Sequence, residues 1–168
     1  MCRRPVASRA TKSSKSVTFK QQVLARSRVV LAALWGGFLL CIALVAAPAA
    51  FAVLERAQAG AVVARLFAVE AQVALFAGLL LILIERRLAR DNGSKNLSAE
   101  FFLPAAALFC TVAGYYALQP MMAAAKAGQG PWSFMALHAF SFAFFGLKTL
   151  AVLALAWRSS RTFSTTKV

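Results

Sequence analysis

VVLAALWGGFLLCIALVAAPAAFAV, residues Val29–Val53, carries no charged side chain, and its length decides the fold. About 20 apolar residues in a helix cross roughly 30 Å of hydrocarbon, so this stretch is long enough to span a bilayer. Three further stretches follow at Leu66–Ile84, Phe101–Leu118 and Phe134–Trp157, each closed off by charged residues. The chain is 61% hydrophobic over 168 residues with a mean hydropathy of +0.70, too apolar for a soluble domain of this size. Lipid offers a bare backbone no hydrogen bonds, so the spans must be helices or a closed barrel, and no period-two alternation points to a barrel. The fold class expected is all-α, an integral membrane four-helix bundle. Residues 1–28 form a basic and disordered N-terminal tail, 29–157 the four-span domain, and 158–168 a basic C-terminal tail.

The net charge of +14 is distributed as a topology signal. Arg3, Arg4, Arg9, Lys12, Lys15, Lys20, Arg26 and Arg28 precede the first span, Arg86, Arg87, Arg90 and Lys95 follow the second, and Arg158, Arg161 and Lys167 follow the fourth. The other two connections hold only Arg56, Arg65 and Lys126. By the positive-inside rule both termini and the middle connection are cytoplasmic, which requires an even number of spans. The location expected is a bacterial inner membrane. The bases do not fall on one folded face among interleaved aromatics, so no nucleic acid is expected as a partner. The acid-free start suits contact with anionic headgroups. An alternative is processing, since Ala50-Phe51-Ala52 resembles a small-residue cleavage site and the basic, Ser-rich start resembles a transit peptide; the apolar run from Val29 is, however, longer than a signal h-region of about 7–15 residues.

Cys2, Cys41 and Cys110 have no CxxC spacing and are read as buried, reduced thiols with no disulfide framework or zinc site. Asn92-Gly93-Ser94 and Asn96-Leu97-Ser98 fit the glycosylation pattern, but in a cytoplasmic connection they stay unmodified. Trp35-Gly36-Gly37 and the alanines around Pro48 allow close helix approach, and Pro48 kinks or ends the first span near the outer surface. Tyr115, Tyr116, Trp132 and Trp157 lie where interfacial aromatics anchor a bundle.

Ionisable side chains inside a span are costly in lipid and so are functional candidates. They are Glu70, His138 and Lys148, and Ser141 joins His138, Phe145 and Lys148 on one helical stripe. Measured from the apolar boundaries at Leu66 and Phe134, Glu70 and His138 lie about one turn below the outer surface and meet, as a structural bond between spans two and four or as a proton-handling site. Lys148 then lies about 15 Å deeper, outside their layer, reaching the headgroups, a buried partner or a polar cavity. Met121, Met122, Met135 and His138 gather thioethers and an imidazole at the outer mouth, a donor set suited to a soft ion such as Cu(I); the alternative is methionine filling gaps. Neither a cofactor nor a resident metal is expected.

Leu34-Trp35-Gly36-Gly37, Ala46-Ala47-Pro48 with Phe51, Ala59-Gly60 followed by Phe67, Leu118-Gln119-Pro120-Met121, and Phe134 through Leu137-His138 with Ser141 occur in an order and spacing that resembles the transmembrane protein 205-like family. The resemblance covers residues 29–157 and implies a four-helix membrane domain; it supplies no reaction, cofactor or catalytic residue. The long basic N-terminus is not part of that family's pattern.

There is no Walker loop, HExxH or GxSxG, and one histidine cannot build a multi-histidine site. The function expected is therefore non-enzymatic: an accessory bundle that recognises a membrane partner through its helices. The alternative is a homo-oligomeric transporter or permease for a small solute or ion, with Glu70, His138, Ser141 and Lys148 along the route. A nucleophile and base drawn from Ser141, Cys110, His138 and Glu70 is the third class. A dry bundle centre favours the accessory role; one cavity shared by Glu70, His138 and Lys148 favours solute handling.

Overall fold

The computed structural model describes residues 7–91, 93 and 98–165, with side chains described over 19–91, 93 and 98–161. The order is α1 (Ala7–Cys41), a π-helical segment (Ile42–Ala46), α2 (Ala47–Val53), α3 (Arg56–Asp91), α4 (Ala99–Thr111), a second π-helical segment (Val112–Ala117), α5 (Leu118–Lys126) and α6 (Phe134–Thr165). These make four rods long and apolar enough to cross a membrane, Phe19–Val53, Arg56–Asp91, Ala99–Lys126 and Phe134–Arg161. The protein is an all-α, multi-pass membrane bundle. Two corrections to the expected boundaries follow. Residues 19–28, assigned to a disordered tail, are helical and continuous with the first span, because no Gly or Pro interrupts Phe19 to Trp35. The second rod starts at Arg56, ten residues before the apolar run at Leu66.

Neighbouring rods run antiparallel in a closed ring: α1 packs on α3 and α6, and α4 packs on α3 and α6. The pairs α1/α4 and α3/α6 therefore stand on the two diagonals. The end holding the termini and the 92–98 connection is called the terminal face, and the end holding the connections at 54–55 and 127–133 the far face. The far-face turn after α5 is a Schellman motif, with Gly128 in the left-handed region (φ +73°), its N–H donating to the Ala125 carbonyl and that of Gln129 to Ala124.

The dry core fills the terminal half. Ala32, Trp35 and Leu39 of α1 and Ala74, Ala77 and Leu81 of α3 recur at the same three-then-four spacing, facing Ala107, Ala151, Val152 and Leu155. Small residues set the approach of the rods. A Cβ on Gly78 would lie 2.6 Å from Leu108 Cγ, closer than the packing permits, and one on Gly36 would lie 3.0 Å from Leu153 Cδ2, a tight contact at the end of that side chain.

The first and third rods share a break in the far half. Each π-helical segment ends just before a proline, Pro48 or Pro120. Proline supplies no N–H and crowds the carbonyl four residues earlier, and a one-residue widening of the ladder absorbs both. Pro48 thus does not end its helix, which continues to Val53.

Candidate functional site

The ion pair at the centre joins the two diagonal helices. Lys148 Nζ donates to Glu70 Oε2 at 2.6 Å, with both residues buried, at 3% and 1% exposure. This corrects the expected pairing of Glu70 with His138. Glu70 lies fourteen residues beyond Arg56, and Lys148 fourteen beyond Phe134, so both sit about 21 Å from the far-face ends of their helices. His138 is only four residues into α6, about 15 Å nearer the far face than Glu70 along the helix rise. Its ring stacks on Phe134, 5.8 Å between centroids. Lys148 Nζ also lies 5.1 Å from the Phe145 ring centroid.

Beyond this pair the bundle opens. In the far half α2 stays on α3, and α5 with its preceding π-helical segment stays on α6, while α2 against α6 and α5 against α3 are at most weakly packed among the described residues. The cleft between the two helical hairpins reaches inward to Glu70 and Lys148, which form its apex. The cleft is a cavity of about 610 Å³, within the range of about 300–1,000 Å³ that holds one small ligand. Phe67, Phe142 and Phe145 give it an aromatic wall, and Thr111, Gln119, His138 and Ser141 add polar groups. All four residues read from the sequence as an intramembrane polar site, Glu70, His138, Ser141 and Lys148, thus line one cavity.

Their individual roles differ. The Ser141 hydroxyl donates to the Gly114 carbonyl at 3.0 Å, tying α6 to the π-helical segment of the third rod. Gly114 allows that contact, because a Cβ there would lie 2.5 Å from Phe144 Cβ. Thr111 turns its hydroxyl back to the Ala107 carbonyl. Glu70 Oε1 is buried without a hydrogen-bond partner among the described residues, although it belongs to a residue that lines the cavity.

The methionine cluster is not gathered. Met122 and His138 line the cavity, whereas Met121 and Met135 are exposed and outside its lining. The described residues hold no group of three His, Cys, Asp or Glu side chains able to bind a metal. Cys110 is buried in the cavity wall, but Cys41, expected to be buried, is exposed on the bundle surface. Cys2 and all but Gly93 and Ser98 of the two glycosylation patterns lie outside the described residues.

Two ion pairs at the terminal face have no counterpart in the sequence reading. Arg28 donates to Glu85 at 3.0 Å with both side chains buried, joining α1 to α3. Arg158 donates to Glu100 at 3.0 Å, more exposed, joining α6 to α4. Each hairpin is thus clamped to itself at the terminal face, while the Glu70–Lys148 pair joins one hairpin to the other. Matching the register of the two ends of each hairpin would have exposed these partners.

A model of the family described as Domain of unknown function (DUF4149) matches residues 30–131, more than half of the chain. The chain belongs to this family. The matched region includes Glu70, both π-helical segments and the Schellman turn, but ends before α6, so His138, Ser141 and Lys148 lie outside it. No curated protein and no solved structure matches the chain.

Proposed function

We propose that this protein is a non-enzymatic membrane protein that takes a small solute into the far-half cleft, as the binding half of a transporter or permease. A single observation carries the reading: Glu70, His138, Ser141 and Lys148 line one cavity, backed by a dry, packed terminal half. An accessory bundle needs no such hollow. Passage onward requires the packed layer around Trp35 and Val152 to loosen; the Glu70–Lys148 apex is where the hairpins pivot. The cleft lies within one chain, so solute binding does not depend on a homo-oligomer.

In this reading the far face is the outside of the cell. Fifteen of the nineteen Lys and Arg residues precede the first span, follow the second or follow the fourth in the sequence, and by the positive-inside rule those segments face the cytoplasm of a bacterial inner membrane. The ordered similarity over 29–157 supports the finer placement among transmembrane protein 205-like proteins. The lipid bilayer is the surrounding partner, and no nucleic acid is involved.

The test is sided labelling of single cysteines in a background lacking Cys2, Cys41 and Cys110. Ser141→Cys should react with a membrane-impermeant thiol reagent from the far face, and Val152→Cys from neither face at rest. If Ser141→Cys is as inert as Val152→Cys, no solute site opens there.

A further inference from the structure

The reading of the cleft as a solute site leaves open what it takes, and on that reading we infer that the ligand is a small uncharged lipophile bearing a hydroxyl group, a phenol or alcohol, entering sideways from the bilayer. Access follows from the packing. The seams between α2 and α6 and between α3 and α5 are at most weakly packed among the described residues, and in a membrane-spanning bundle such seams face lipid. Cavity-lining residues at these edges, Phe51 and Phe142, are 53% and 75% exposed. A molecule already dissolved in the membrane reaches the cleft without crossing water, whereas a charged one bears the cost of leaving water first.

The apex selects the polar group. Glu70 and Lys148 neutralise one another, so a ligand with net charge would leave an uncompensated charge about 21 Å from the helix ends, the situation buried pairs avoid. Yet Glu70 Oε1 is a buried acceptor with no donor. Lys148 carries three N–H donors, one on Glu70 Oε2 and the ammonium lying over Phe145. A hydroxyl is the smallest group that meets both, donating to Glu70 Oε1 and accepting from Lys148 Nζ. The aromatic wall of Phe67, Phe142 and Phe145 covers the remainder of the ligand, and the cavity volume admits one such molecule.

The experiment uses the full chain in lipid nanodiscs, with empty nanodiscs subtracted for partitioning, and three probes of one shape: 2-naphthol, 2-methylnaphthalene and 2-naphthoate. Fluorescence titration should give saturable binding of 2-naphthol about tenfold or more tighter than 2-methylnaphthalene, as expected for a hydrogen bond to a charged group, and no saturable binding of 2-naphthoate. Glu70→Leu with Lys148→Met, which removes both the acceptor and the donor, should erase the hydroxyl preference. Gly60→Leu, at a cavity-lining position where a Cβ meets nothing within 4 Å, narrows the far end of the cavity and should weaken binding of both neutral probes while the protein stays folded, so the result does not depend on the ion-pair variant folding. Equal affinity for naphthol and methylnaphthalene, preference for naphthoate, or affinity unchanged by Gly60→Leu overturns the inference. Failure of all three probes while Ser141→Cys remains reactive from the far face rejects this ligand class alone; an inert Ser141→Cys rejects the solute site itself.

Discussion

Removing one member of the Glu70–Lys148 pair strands the other in a site where the two residues are only 1% and 3% exposed. Breaking a buried pair by deleting one partner costs about 3–5 kcal/mol, because the remaining charge loses its compensation. Glu70→Gln and Lys148→Met should each fall in that range. The double variant leaves no charge behind, so its cost should be smaller than the sum by a coupling energy of about 2–3 kcal/mol, roughly 30- to 150-fold in the folding equilibrium. Reversible unfolding of the four proteins in mixed micelles measures the coupling. A second cycle with Glu70→Gln and His138→Ala supplies the control: those side chains are set about 15 Å apart along the helix rise, so their effects should add. Additive costs for Glu70 with Lys148, or coupling that appears instead between Glu70 and His138, would refute the placement of the pair at the apex.

Two further outcomes follow from the packing. Gly114→Ala pushes a methyl to 2.5 Å from Phe144 Cβ and should destabilise by about 1–3 kcal/mol, while Gly37→Ala, where a Cβ meets nothing, should stabilise by about 0.5–1 kcal/mol; thermal unfolding in detergent compares them. At the terminal face, Glu85→Gln strands the buried Arg28 and should cost about 3 kcal/mol or more, whereas Arg158→Ala removes a side chain 52% exposed and should cost below about 1 kcal/mol; the same unfolding assay ranks the two.

The four rods were legible because a membrane span is a statement about length and hydropathy, and Val29–Val53 satisfies it without any knowledge of neighbours. The stripe from His138 through Ser141 to Lys148 was equally legible, since helical spacing alone puts those residues on one face. The depth of Glu70 was not. Hydropathy marks where apolar residues begin, at Leu66, whereas α3 begins at Arg56, and its first turns mix Arg56, Gln58 and Arg65 with alanines that favour helix. Ten unseen residues displaced Glu70 by about 15 Å and assigned it the wrong partner. Pro48 announced irregular helix and Pro120 was not read that way, and the widened ladder before each depends on how the neighbouring rods hold the backbone. The cleft itself is a property of weak packing between α2 and α6 and between α3 and α5 among the described residues, and no single segment encodes that.

Cysteine cross-linking between the hairpins tests the cleft most directly. In a background lacking the native cysteines, Gly36→Cys with Leu153→Cys joins α1 to α6 in the packed half, where the two positions touch. Gly60→Cys with Ala123→Cys faces across the cavity from α3 to α5. An oxidant that forms a direct disulfide should link the first pair rapidly and leave the second unlinked, while a long bifunctional thiol reagent bridges it. Rapid direct disulfide formation at Gly60 and Ala123 would mean that the hairpins close on one another along their whole length, and that the cavity at their centre does not exist.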